Sequence, residues 1–70
     1  MTYQTWTLLT NQELIDGASD YQSAGAHAHA EAVKALSRGM PDYAAEWQKV
    51  QARFHRGAAE LLTFLLRRAS

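Results

Sequence analysis

Small and apolar residues recur at alternating intervals of four and three along two long stretches of the chain. The first is Leu14, Ala18, Tyr21, Gly25, Ala28, Ala32 and Ala35; the second is Tyr43, Trp47, Val50, Phe54, Gly57, Leu61 and Phe64. This spacing keeps one side of a helix turned toward a neighbour, so each stretch predicts an amphipathic α-helix. The polar positions between them mark start and stop. Thr10 with Glu13 three residues on forms a capping-box pattern, and Leu9 with Leu14 occupies the positions of a hydrophobic staple. Asp16 lies close enough to that start to favour the positive end of the helix dipole. The run Arg38-Gly39-Met40-Pro41 ends the first helix and begins the second, because glycine suits the left-handed position after a helix and proline suits the first position of the next. Asp42 and Glu46 favour the second N-terminus, and Arg67 and Arg68 its C-terminus. The pattern predicts helices over about 11–38 and 41–68.

A link this short makes the helices antiparallel neighbours. Facing positions then sum to roughly 79, which sets Ala32 against Trp47, Gly25 against Phe54, Tyr21 against Gly57 or Ala58, and Ala18 against Leu61. Large lies opposite small nearly throughout, as interdigitating layers require. The fold class expected is therefore all-α, an antiparallel two-helix hairpin over residues 10–70. Its packing residues are Ala18, Tyr21, Gly25, Ala28, Ala32, Trp47, Val50, Phe54, Gly57 and Leu61.

More apolar residues remain than two helices can hide. Helix 2 ends Leu61-Leu62-Thr63-Phe64-Leu65-Leu66, apolar nearly all round, and helix 1 carries a second stripe of Ile15, Val33, Leu36 and Met40. A helix apolar on several sides is covered on several sides, and large exposed patches mark interfaces. Two covers are expected. One is an extended N-terminal arm, residues 1–9, rich in threonine and aromatics, with Tyr3 and Trp6 as anchors across the leucines. The other is a second hairpin, giving a homodimeric four-helix bundle whose interface the arm crosses or extends. The association residues expected are Tyr3, Trp6, Ile15, Leu36, Leu62, Leu65 and Leu66.

Composition supports the need for a partner. Seventy residues without cysteine bury a modest fraction of their surface and have no disulfides to add, so oligomerisation is the expected support. The lack of cysteine fits a reducing compartment, and a cytoplasmic location is expected. The N-terminus has no basic n-region of a secretory signal, and no apolar run approaches the ~20 residues of a membrane span. Net charge is zero: residues 1–37 carry one cation against four acids, net −3, and residues 38–70 carry six cations against three acids, net +3. A chain that neutralises itself lacks the electrostatic footprint of a general nucleic-acid binder. The basic run Lys49, Arg53 and Arg56 is read as a solvated face; a nucleic-acid-binding hairpin dimer using it is the alternative.

The stretch Gly25-Ala-His-Ala-His-Ala-Glu-Ala32 places His27 and His29 two apart. On a helix they lie about 200° apart and cannot chelate one ion together. His27 is expected in a surface stripe with Glu31 and Lys34. His29 lies beside the seam with Gln22, Ala26, Val33 and Leu36, and His55 lies beside it on helix 2 with Gln51, Ala58 and Leu62. A bundle that responds to metal or pH through His29 and His55 is a third reading. Neither metal nor cofactor is expected. No nucleophile–base–acid set, phosphate-binding loop or inward carboxylate pair appears, so an enzyme is not expected. The leading expectation is a small, non-enzymatic module that dimerises and presents its polar outer faces to a heterologous protein partner.

Overall fold

In a computed structural model, residues 6–69 are described, and all their regular secondary structure is helical. Helix α1 runs Asn11–Ser37 and helix α2 runs Pro41–Ala69. They pack against each other as an antiparallel hairpin with extents of 47 × 17 × 16 Å, close to the ~43 Å length of a 29-residue helix.

Local chemistry sets the helix ends. The Glu13 backbone N–H donates to Thr10 Oγ1 at 3.1 Å, and the Thr10 N–H donates to Glu13 Oε1 at 3.0 Å, so the capping box is closed in both directions. These contacts, the backbone donor of Thr10 first and its side chain second, hold the Glu13 carboxyl below its ordinary value of 4.5. At the other end of α1, Gly39 takes φ +71°, the left-handed region that glycine enters without penalty. The Gly39 N–H donates to Leu36 O at 3.0 Å and the Met40 N–H to Ala35 O at 2.9 Å, the paired bonds of a Schellman turn. Pro41 then opens α2, where its missing N–H leaves no helical bond unmade.

The core has two centres. One, at the open end, combines Trp6, Leu14, Ala18 and Leu61, with Leu9, Tyr21, Phe64 and Leu65 packed around them. The other, beside the turn, is Ala32, Ala35 and Ala44 with Trp47 against them. Between the two, the helices approach closely at glycines. A Cβ built on Gly25 would stand 3.7 Å from Phe54 Cβ, and one on Gly57 would stand 3.3 Å from the Tyr21 ring. Gly25 thus faces Phe54 and Gly57 faces Tyr21, and the Tyr21 and Phe54 rings lie 6.1 Å apart.

The buried side of α2 differs from the sequence register at the turn. Ala44 is buried there and Tyr43 is 53% exposed. The link between the helices spans only residues 38–40, so the backbones start close together. The small Ala44 packs against Ala32 and Ala35 at that separation, and the tyrosine ring lies outward. Farther along, Ala58 is buried beside half-buried Gly57. The inner edge of α2 therefore steps through Ala44, Trp47, Phe54, Ala58 and Leu61, between two adjacent rows.

Residues 1–5, including Tyr3, lie outside the described residues. Of the segment expected to be extended, the described residues 6–9 are not extended. They turn, with the Leu9 N–H donating to Trp6 O at 3.1 Å. Trp6 folds back within its own chain to 3% exposure, its ring 5.7 Å from that of Phe64.

Candidate functional site

Arg68 holds this N-terminal turn to the end of α2. Its guanidinium donates to Leu9 O at 2.8 Å, Asn11 Oδ1 at 3.1 Å, and the Trp6 and Thr7 carbonyls at 3.2 Å each. Its plane also stacks over Phe64 at 5.1 Å. The forked donors of arginine suit several fixed carbonyls at once in a way a lysine ammonium does not. The sequence marks Arg68 only as a favourable charge at a helix C-terminus. Three of its four acceptors are backbone carbonyls of a turn far away in sequence, and these leave no residue-type signal.

Of the seven association residues expected, two are occupied at home. Trp6 is buried in the open-end core, and Leu65 packs partly against it. Both lie over the Leu14–Leu61 contact, where the N-terminal turn folds back. Ile15, Leu36, Leu62 and Leu66 remain exposed, joined by Val33 and Met40. Leu36 is 56% and Leu66 72% exposed. Ile15, Gln22, Ala26, His29, Val33 and Leu36 follow one another at helical spacings of three, four and seven, so they share one side of α1. A shallow cavity of about 140 Å³ joins that side to α2: it is lined by Tyr21, Gln22, Gly25, Ala26, Gln51 and His55. Leu62 and Leu66 continue the His55 row at intervals of seven and four. The result is one broad face spanning both helices. It is apolar at each end (Ile15, Leu62 and Leu66; Val33, Leu36 and Met40), and glutamine and histidine occupy its middle.

His27 points elsewhere. Its ring meets Trp47 at 5.8 Å and 87°, while Glu31 pairs with Lys34 at 3.4 Å. Lys49 lies 3.1 Å from Glu46, and Arg53 and Arg56 are exposed farther along α2, with Glu60 beyond them. Acids thus flank the basic run at both ends. Among the described residues, no group of three or more His, Cys, Asp or Glu side chains is placed to hold a metal ion. No helix among them is long and apolar enough to cross a membrane. Compared with known protein families, curated proteins and solved structures, the chain matches none of them.

Proposed function

We propose that this chain is a non-enzymatic interaction module that pairs with a second copy of itself through the Ile15–Leu36–Leu62–Leu66 face to form a four-helix bundle. The observation that carries the reading is the exposure of those leucines on one continuous face. The surface area agrees: the chain exposes 5104 Å², where a compact monomer of 7.8 kDa exposes roughly 4,400 Å². Its radius of gyration, 14.7 Å, also exceeds the ~11 Å of a compact 70-residue domain.

A second hairpin laid on this face would sequester both leucine clusters and leave the opposite side of each hairpin free for another protein. A chain without cysteine suits a reducing compartment, and we assign the module to the cytoplasm on that ground. The test is a double charge insertion, Leu36→Glu with Leu66→Glu, followed by sedimentation and far-UV circular dichroism. Both side chains are already exposed in the single hairpin, so helicity should persist while the dimer is lost. A variant that sediments as the wild type does would overturn the assignment of this face.

A further inference from the structure

The side of the hairpin away from the leucine face carries a second feature. Tyr43, Glu46, Trp47 and Val50 stand at i, i+3, i+4 and i+7, which brings them to one strip of α2. They line an open cavity of about 220 Å³. Its two aromatic walls meet almost at right angles: the Tyr43 and Trp47 rings are 6.4 Å apart with planes at 83°. Trp47 is a fixed wall, packed against Ala32, Ala35 and Ala44 and met by His27 on α1. Tyr43 is the open wall, the residue that the close approach at Ala44 turns outward. Glu46 sets a carboxylate at the rim. His27 and His29 lie about 160° apart around α1 by the shorter arc, so the cavity beside His27 opens away from the face that holds His29.

We propose that this corner is a binding site for an alkylammonium group carried by a partner. Ring faces attract cations through their quadrupole, and the attraction operates within about 6 Å of a ring centroid. With centroids 6.4 Å apart, one cation seated in the angle lies within that reach of both rings. Glu46 supplies the opposite charge, and Val50 supplies an apolar contact for the carbon stem. Lys49 already reaches Glu46 at 3.1 Å, but both side chains are more than 65% exposed, and such a pair is held weakly and displaced readily. A neutral apolar group would fill the same volume but gain nothing from the quadrupoles or the carboxylate. The site is independent of the dimer reading, because none of its residues belongs to the leucine face.

The test uses choline and its uncharged carbon isostere, 3,3-dimethylbutan-1-ol, titrated into the full chain while the two tryptophan indole N–H resonances are followed by NMR. Choline should move the Trp47 signal saturably and leave Trp6, at the far end of the hairpin, unmoved. The isostere should bind roughly three- to tenfold more weakly, the range expected when a cation–π contact and a partly exposed carboxylate are both lost. Tyr43→Leu and Glu46→Gln should each weaken choline binding severalfold with helicity unchanged. Equal binding of the isostere, a choline affinity unchanged by Tyr43→Leu, or no saturable shift would each overturn the proposal. Capped lysine and its trimethylated form, titrated in the same way, identify which side chain the corner prefers.

Discussion

Replacing Gly25 by alanine and by leucine tests the close approach of the two helices from both directions. Glycine inside a helix is less favourable than alanine by about 0.8–1 kcal/mol. At Gly25 the added methyl would stand 3.7 Å from Phe54 Cβ and 3.9 Å from the Gln51 carbonyl oxygen, both ordinary contacts. Nothing there opposes the gain in helix propensity, so Gly25→Ala should stabilise the hairpin by about 0.5–1 kcal/mol. Leucine adds three further carbons that must pass the Phe54 side chain, and overpacking of that kind costs about 1–3 kcal/mol. Gly57→Ala is the intermediate case. Its methyl would stand 3.3 Å from three atoms of the Tyr21 ring, so the ring must shift, and the variant should gain less than Gly25→Ala. The assay is thermal unfolding followed at 222 nm at one fixed protein concentration, because dimerisation makes the midpoint concentration-dependent. For a chain of this size 1 kcal/mol moves Tm by roughly 4–8 °C. The expected order is Gly25→Ala above Gly57→Ala, with Gly25→Leu below wild type. A Gly25→Leu protein as stable as wild type would refute the Gly25–Phe54 contact.

Four other outcomes are expected. Arg68→Ala should cost about 1–2 kcal/mol through its bonds to the turn carbonyls and shift Trp6 emission to the red, and Arg68→Lys should recover only part of the loss. Leu61→Ala, at a position 1% exposed, should destabilise by about 2–5 kcal/mol in urea unfolding. Thr10→Ala should cost about 1 kcal/mol of helix stability by circular dichroism. Because the Glu13 carboxyl is held below 4.5 in the folded chain, its contribution is present above that value. It should fade as pH falls below 4.5 and through the lowered folded-state value. Glu13→Gln keeps the reciprocal cap and should remove that share of the acid sensitivity.

Features made by near neighbours in sequence were the legible ones. The capping box at Thr10 and Glu13 and the left-handed Gly39 involve residues within a few positions of one another, so residue type alone announces them. The approach at Gly25 and Gly57 was also readable, because it needs only two periodic patterns and one turn position. The position of Tyr43 was not. A strict alternation of four and three on a 3.6-residue helix drifts, and which of two adjacent rows faces inward depends on how close the backbones begin. Trp6 was open for a related reason: an aromatic residue beside exposed leucines suits a partner's surface and its own chain's core equally well. What decides it is the turn over residues 6–9, held by an arginine some sixty positions away.

The central claim is that the exposed leucine face is closed by a second copy of the chain. Its most direct test is the mass in solution, by light scattering across a wide concentration range. The account predicts a species of twice the 7.8 kDa chain mass that gives way to monomer only on dilution. A mass of 7.8 kDa at every concentration would contradict it.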